Sequence, residues 1–471
     1  MRLGPPKARA GVAAAAALAA LLAWWLTAEP KFVLGSLVGV PLAYLAYGLD
    51  KAWLTSAAVA SYVFLGQSAN MGLPLDPGRV LVALVVLRFA VDAYRVRAVP
   101  ALDRWQAWWL WAALAFVIGS VFAAGQLSNH AALFEILDAY GVVPFLLFIL
   151  APWAFDTPGR QRAFLLSLLS TALYLGVTGT LEGLGLGRLT FPRYIDDPTV
   201  GIHYGRARGP FASAVPMGSA VSLGVVVSVL AAQIWTSRRL RAVAALTGSL
   251  CFLALMFTLT RGAWVGLAPA VAVAIGFVPG IRRWLPIAFI VATTVIAGSL
   301  TASPALKSKI TERNEAQASV WERENTNAAA VRLIAEHPLL GIGWDRYAAV
   351  GDEFLVQPDD LPLYGTGVVV HNQFLLLASE LGLLGLAVWI FATAACVIVP
   401  SMRRGPPAMR PWQAATLAAL LITWVNGLFA PPTFPYVYLT VWVLAGIVRA
   451  QWSAAAAAPI DRDSPLMVGR K

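Results

Sequence analysis

Residues 373–399 read QFLLLASELGLLGLAVWIFATAACVIV, an apolar run in which Glu380 is the single charged residue. A helix of about 20 apolar residues crosses a bilayer hydrocarbon core about 30 Å thick. A helix of a soluble protein keeps a polar face toward water, and this run has none. The stretch therefore predicts a membrane-spanning helix.

The same pattern recurs along the whole chain. Apolar runs of spanning or nearly spanning length occupy 11–27, 32–48, 52–66, 79–95, 105–123, 132–154, 163–181, 211–234, 242–259, 262–279, 285–303, 373–399, 412–430 and 434–450. The chain of 471 residues is 59% hydrophobic and 13% charged, against about 25% charged in a typical soluble domain. The sequence predicts an all-α polytopic integral membrane protein with about 12–14 transmembrane helices, since the first three runs are short.

Clusters of basic residues predict the orientation in the membrane. The formal net charge is +11, and the clusters fall in alternate loops, which by the positive-inside rule are cytoplasmic. They are Arg2/Lys7/Arg9, Arg95/Arg97/Arg104, Arg160/Arg162, Arg238/Arg239/Arg241, Arg282/Arg283 and Arg403/Arg404/Arg410. We expect a multi-pass protein of the plasma membrane with both termini in the cytoplasm. Because topology accounts for the positive charge, nucleic-acid binding is not expected.

This orientation divides the chain into four parts. Residues 1–303 form the first part of a transmembrane bundle. Residues 304–370 are polar, contain helical stretches, and are expected to form a small extracytoplasmic cap. Residues 371–450 complete the bundle, and 451–471 are expected to be a disordered cytoplasmic tail.

Charged residues inside the predicted helices are few. Arg88 and Asp92 lie four positions apart on one helix face and are expected to neutralise each other as a structural pair. Glu135 and Asp138 share a face of the sixth run. They would either line a polar cavity or lie at the membrane interface, and the pattern does not separate these alternatives.

Two arginine motifs lie on the predicted outer face. Arg261, in Thr260-Arg-Gly-Ala-Trp264, lies between two apolar runs, and Arg206 and Arg208 lie in YGRARGPF (204–211). Guanidinium groups make bidentate hydrogen bonds to phosphate. Both motifs suit a phosphate-bearing lipid; the alternative is that each arginine reaches toward ordinary lipid headgroups.

The histidines offer proton transfer. His371 begins the twelfth run at the mouth of the predicted bundle, and histidine exchanges protons near neutral pH; the alternative is an interfacial histidine satisfied by water. His337, before Pro338, predicts a helix end and a tight turn. Four His, two Cys and no clustered carboxylates give no reason to expect a metal site, and no nucleotide-binding P-loop occurs.

These residues resemble a known family. His371-Asn372, followed after nine residues by Gly382-Leu-Leu-Gly385, resembles the H[NSQ]-x9-G-x-x-G signature of O-antigen ligases. His337–Gly343 (HPLLGIG), the Arg-Gly turn at 260–264 and the RxxGxF segment at 206–211 resemble, in the same order, motifs of the O-antigen ligase and polymerase superfamily.

The resemblance implies a fold and a reaction. The fold would be GT-C-like, that of multi-spanning lipid-dependent glycosyltransferases. The donor would be a glycan on undecaprenyl pyrophosphate at the periplasmic face of a bacterial inner membrane. The acceptor would be lipid A-core for a ligase, another glycan for a polymerase, or a protein in some relatives. The reaction would need neither metal nor other cofactor.

The site residues follow from the same motifs. We expect His371 and Arg261 to be catalytic. The pyrophosphate of the donor lipid would be bound by Arg206, Arg208, Arg261 and Asn372. Secondary candidates are His337, Glu380 and Trp264.

The choice within the superfamily rests on the His371 motif, which favours a ligase. Leu386-Ala387 replaces the Thr-Trp that often ends the ligase signature, and fourteen helices exceed the usual twelve. An O-antigen or exopolysaccharide polymerase and a protein O-glycosylation ligase therefore stay alternatives. A polysaccharide or lipid transporter and a non-catalytic membrane scaffold are the alternatives from other classes.

Overall fold

The computed structural model describes residues 44, 47–97, 99–278, 280, 282, 318–356, 363–431 and 435–457. These residues contain helices and no strand. The main helices are α1 (Lys51–Ser61), α2 (Pro77–Val96), α3 (Arg104–Ala123), α4 (His130–Ala154), α5 (Pro158–Gly183), α6 (Ala214–Ile234), α7 (Arg238–Phe257), α8 (Arg261–Phe277), α9 (Ala318–Glu336), α10 (Gln373–Met402), α11 (Arg410–Gly427) and α12 (Tyr436–Ala457).

The predicted fold class is confirmed. In the described part of the chain, six helices are long and apolar enough to cross a membrane, namely α3, α4, α5, α6, α7 and α10, and α8 is a shorter apolar helix. Each predicted run that falls within the described residues corresponds to a helix. The runs at 11–27 and 285–303, most of 32–48 and the predicted tail from 458 lie outside them.

Small residues allow the helices to pack closely. A Cβ on Gly224 of α6 would lie 2.6 Å from Cys251 Sγ of α7, and one on Gly446 of α12 would lie 2.8 Å from Phe148 O of α4. Close backbone approach of this kind is typical of membrane bundles. Every side chain from 436 to 449 is buried, so α12 lies at the centre of the bundle.

Two ion pairs lie within the helices that the structure describes. Arg88 Nε lies 3.3 Å from Asp92 Oδ2, which confirms the predicted pair. Asp138 lies in a π-helical segment of α4; its carboxylate accepts hydrogen bonds from Arg79 Nε of α2 at 2.8 Å and from Tyr62 Oη, just after α1, at 2.8 Å. Asp138 therefore joins three segments of the bundle. A buried carboxylate needs such partners because desolvating an unpaired charge is costly.

The segment before α10 packs on the start of that helix. Tyr347 Oη donates to Thr326 O of α9 at 3.0 Å, and Arg332 Nη1 of α9 donates to Phe354 O at 2.8 Å. A small apolar cluster joins α9 to α10 through Ala330, Leu333, Tyr347, Val370 and Leu376. These contacts hold the residues before α10 in one place.

Candidate active site

The candidate motifs gather at one end of the bundle, which we call the motif end. It contains the last residues of α3, α5, α7 and α11 and the first residues of α4, α6, α8 and α10. The contacts that join these ends include Ala207 N to Phe257 O at 3.0 Å and Trp344 N to Ser120 Oγ at 3.0 Å. Residues distant in sequence therefore meet there.

Asn372 caps α10. Its Oδ1 accepts hydrogen bonds from Phe374 N at 3.0 Å and Leu375 N at 3.2 Å. Asparagine is among the best residues for this position because its side chain satisfies backbone donors that the first helical turn leaves unpaired. The signature residue next to His371 thus fixes where α10 begins, and its contact with donor lipid stays a prediction.

The glycine part of the signature marks a break in α10. Gly382 has a φ of 69°, outside helical values. The loop after α9 supplies the hydrogen bonds that the break removes: Ile342 N donates to Ser379 O at 3.0 Å, Gly343 N to Glu380 O at 2.9 Å, and Leu383 N to Pro338 O at 2.8 Å. Backbone groups at membrane depth must be satisfied within the protein. We call this arrangement of 338–343 against 379–384 the loop–helix clasp.

Steric space explains why the clasp contains glycines. A Cβ on Gly382 would lie 2.1 Å from Leu339 O, and a Cβ on Gly341 would lie 2.5 Å from Ser379 O. Both contacts are with backbone atoms, and both glycines have a positive φ. Side chains at either position would force the two segments apart. The two separated motifs, HPLLGIG and GLLG, therefore form one structural unit.

Two secondary candidates belong to the same unit. His337 is exposed, and its carbonyl accepts from Gly341 N at 3.2 Å, which is consistent with the predicted turn. Glu380 is 5% exposed, and its Oε1 accepts from Tyr347 N at 3.2 Å. These contacts give Glu380 a structural role in holding the loop.

His371 lies beside α9. Its Nδ1 lies 3.5 Å from Glu322 Oε1, and both side chains are about one-third exposed, at 29% and 33%. Burial lowers the pKa of His371 from its usual value, Glu322 opposes this by raising it, and Arg323 lowers it further. The imidazole is therefore held in its neutral, proton-accepting form to lower pH than an ordinary histidine.

Arg206 and Arg261 flank Thr260. Arg206 Nε donates to Thr258 O at 2.7 Å, and Arg206 Nη2 donates to Thr260 Oγ1 at 2.9 Å. Thr260 Oγ1 in turn donates to Ala214 O of α6 at 3.2 Å. Thr260 is the N-cap residue of α8, and Arg261 is the first residue of that helix, with an exposed side chain. The two predicted cationic motifs thus meet at one helix N-terminus.

The remaining residues of the Arg-Gly turn have packing roles. Trp264 Nε1 donates to Leu255 O at 3.1 Å, which ties α8 back to α7. A Cβ on Gly262 would lie 3.0 Å from Phe429 Cδ2, so this glycine admits the segment that follows α11. Both contacts fix the first turn of α8 against its neighbours.

Arg208 differs sharply from Arg206. Its side chain is fully buried, with an exposed fraction of 0%. Its guanidinium donates to the carbonyls of Val200, Ile195 and Asp197. These bonds fix the loop before α6. The burial and the hydrogen bonds of Arg208 indicate a structural role. Contact between Arg208 and pyrophosphate stays a prediction, whereas Arg206 lies directly at the start of α8.

A narrow cavity lies between the starts of α6 and α10 and the end of α11. Val215, Pro216 and Ser219, next to the Ala214 that binds Thr260, line one side of it. Gln373, two residues after His371, lines another, and Gln373 also contacts Gly427 of α11. The start of α6 therefore lies between the Arg261 turn and the start of α10.

Sequence reasoning missed two acidic residues at the motif end. Glu322 lies beside His371 from 49 positions upstream, and Glu182 Oε2 accepts from Arg208 N at 3.2 Å and Gly209 N at 2.8 Å. Glu182 lies at the end of an apolar run, but its hydrogen-bond partners depend on the tertiary fold.

The described residues contain no group of three or more His, Cys, Asp or Glu side chains arranged to hold a metal ion. The independence of the reaction from metal stays a prediction, which the rate of transfer in the presence of EDTA would test.

The fold and the motif end define an all-helical membrane protein with a cationic site at one end. Residues 246–390 match the family model described as O-antigen ligase. The match confirms the resemblance to the O-antigen ligase and polymerase superfamily and supports a membrane enzyme of the O-antigen ligase type. It spans Arg261, the clasp and His371, whereas Arg206 and Arg208 precede it. No curated protein matches the chain.

Proposed function

We propose that the protein transfers a glycan from undecaprenyl pyrophosphate to an acceptor at the outer face of a bacterial inner membrane. The proposal rests on one observation above all: Arg206 and Arg261 lie on either side of Thr260 at the N-terminus of α8. The family match supplies the reaction class.

Electrostatics favours an anion at this position. A helix N-terminus carries a partial positive charge, and Arg261 at the first position of α8 adds a full positive charge at the same place. A bound pyrophosphate would be stabilised there, because backbone N–H groups and guanidinium groups act together. The arrangement suits a leaving group whose negative charge grows during transfer.

His371 is suited to activate the acceptor. In the proposed step, the acceptor hydroxyl attacks the anomeric carbon, its oxygen–carbon bond forms, and the bond from that carbon to the pyrophosphate oxygen breaks. The hydroxyl proton passes to the neutral imidazole of His371, and the electron pair leaves with pyrophosphate toward Arg261. The phosphate ester of the donor already holds the energy for the reaction, so no nucleotide or other cofactor is required.

Charge in the loops supports the proposed orientation. Arg238, Arg403 and Arg404 lie near helix ends opposite the motif end. The positive-inside rule favours the cytoplasm for those ends, and on that ground we propose the periplasmic face for His371 and Arg261. The termini would then be cytoplasmic.

Among acceptors, lipid A-core is favoured by the His371 signature. A polymerase, which would use a second lipid-linked glycan, is the alternative within the superfamily. The same cationic site would serve both, since they share the donor.

The test is transfer by purified protein in detergent. Glycan-linked undecaprenyl pyrophosphate would be offered with lipid A-core, and separately with further donor alone. Product on lipid A-core identifies a ligase, and a ladder of longer lipid-linked glycans identifies a polymerase. Equal rates with and without EDTA are expected; loss with EDTA and recovery with Mg²⁺ would contradict a metal-free reaction. Absence of both transfer and donor binding would favour a transporter.

The pH profile of transfer tests the role of His371. The rate should fall on the acidic side as the imidazole is protonated, and this limb should lie below the ordinary histidine pKa of 6.5, because burial lowers the pKa. The charged groups that act on His371, Glu322 and Arg323, both lie on α9. Glu322→Gln removes the carboxylate that stabilises imidazolium, so the limb should shift further toward acid.

Glu324→Gln is the matched control, because Glu324 lies on the same helix with an exposed side chain. It should leave the limb where it is in the wild type. A shift of equal size in both variants, or an alkaline shift in Glu322→Gln, would contradict the proposed pairing. His371→Ala should lose the limb together with most of the activity.

A further inference from the structure

A second, larger cavity lies beside the Arg261 turn. Its volume is about 320 Å³, within the range of small-molecule sites. Its lining includes Glu182, Asp196, Tyr204, Arg206, Arg208 and Leu259. Since Arg206 binds Thr258 and Thr260, and Leu259 lies between them, this cavity adjoins the proposed pyrophosphate site directly.

The polar groups of this cavity are mixed in charge. Glu182 and Asp196 contribute carboxylates, and Arg206 and Arg208 contribute guanidinium groups. Within the described residues, the Asp196 carboxylate accepts no hydrogen bond, and the Nε of the fully buried Arg208 has no acceptor. The Asp196 side chain is partly exposed, so its carboxylate is open to a ligand that donates hydrogen bonds, whereas Arg208 Nε is shielded from the cavity. Arg206 is also partly exposed, and its guanidinium is the cation that a ligand in the cavity can reach.

The chemistry of the lining excludes some ligands and favours others. A second phosphate would be repelled by two carboxylates, and an acyl chain would leave the polar groups unsatisfied. Hydroxyl groups donate to carboxylates and accept from guanidinium N–H groups. The half-exposed ring of Tyr204, 54% exposed, adds an apolar surface. This combination matches a sugar ring.

We propose that this cavity binds the sugar residue of the donor that is attached to pyrophosphate, with the Asp196 carboxylate accepting hydrogen bonds from its hydroxyl groups. The inference rests on the proposed function and names a second part of the same site: pyrophosphate at the start of α8, and sugar in the cavity lined by 182–187, 195–196 and 204–208. The cavity would then contribute to specificity for the glycan, while Arg206 and Arg261 would bind the pyrophosphate that is common to all donors.

The test compares two lipids that differ only in the glycan. One is undecaprenyl pyrophosphate, and the other is the lipid-linked glycan that accumulates in the native host when this protein is deleted. Binding of each to full-length protein in nanodiscs would be measured for the wild type, Asp196→Asn and Asp197→Asn. Asp197 is a matched control because its carboxylate accepts from Thr199 N at 2.8 Å and Thr199 Oγ1 at 2.7 Å, and it is not part of the cavity lining.

The expected result is selective. Loss of a charged hydrogen-bond acceptor should weaken binding of the glycan-bearing lipid about tenfold, and Asp196→Asn should leave binding of glycan-free lipid unchanged. Asp197→Asn should bind both lipids like the wild type.

Two results would overturn the sugar site while leaving the proposed function intact: equal loss for both lipids in Asp196→Asn, or no loss for either. Failure of the wild type to bind either lipid would overturn the proposed function and the sugar site together.

Discussion

Arg261→Ala is expected to lower glycan transfer by about 10²- to 10³-fold, the cost of removing one group that stabilises developing negative charge in a transition state. Arg261 is the exposed first residue of α8, and Thr260 before it is bound by Arg206. The cation therefore lies where a leaving pyrophosphate would meet both the helix N-terminus and a second guanidinium. Initial rates with lipid-linked glycan, measured on purified protein with an unchanged elution profile, would check this.

Two further variants separate bidentate recognition by Arg261 from a general effect of positive charge. Arg261→Lys keeps the charge but not the bidentate fork, so most of the loss should persist. Arg238→Ala is the matched control: Arg238 is the exposed first residue of α7, at the opposite end of the bundle. Full activity of Arg261→Lys would refute bidentate recognition, and an equal loss in Arg238→Ala would point to a general effect of surface charge.

The sequence predicted those parts of the structure that local pattern controls. Apolar runs of about 20 residues specify membrane helices because an unsatisfied backbone is too costly in lipid, and the described helices follow these runs. Arg261 and His371 became candidates because each stands at the edge of an apolar run, and their roles stay predictions. The pair Arg88 and Asp92 was found because four positions make neighbours on a helix.

Other features depend on contacts that no local pattern encodes. Asp138 binds Arg79 and Tyr62, which lie 59 and 76 positions away. Arg206 and Arg208 look equivalent in the sequence. In the fold, Arg206 binds Thr260, whereas Arg208 is buried and binds backbone carbonyls between residues 195 and 200. The HPLLGIG loop forms the predicted turn. The loop also binds a break in α10, which the sequence does not indicate because the residues around the break are apolar throughout.

That break leads to the second large effect. Gly382→Ala is expected to abolish folding of the motif end, because the new Cβ would lie 2.1 Å from Leu339 O, a backbone atom that cannot move without opening the clasp. Opening it would leave the carbonyls of Ser379 and Glu380 and the N–H of Leu383 unpaired, and each unpaired backbone group at membrane depth costs several kcal/mol. The measurement is the melting temperature in detergent together with transfer activity.

Gly367→Ala separates this steric effect from the strain of a left-handed backbone. Gly367 has a φ of 71°, nearly that of Gly382, but a Cβ there would meet nothing within 4 Å. It should cost only about 1–2 kcal/mol, the penalty of an L-residue in that conformation, and should keep its activity. If the two variants melt at the same temperature, the left-handed conformation alone would explain the glycine at 382. A much larger loss of melting temperature in Gly382→Ala would instead show that the spacing between His371 and the glycines positions the break in α10 where the HPLLGIG loop packs against it. The signature would then describe how the start of α10 is held beside α9, with the partly buried His371 as its first residue.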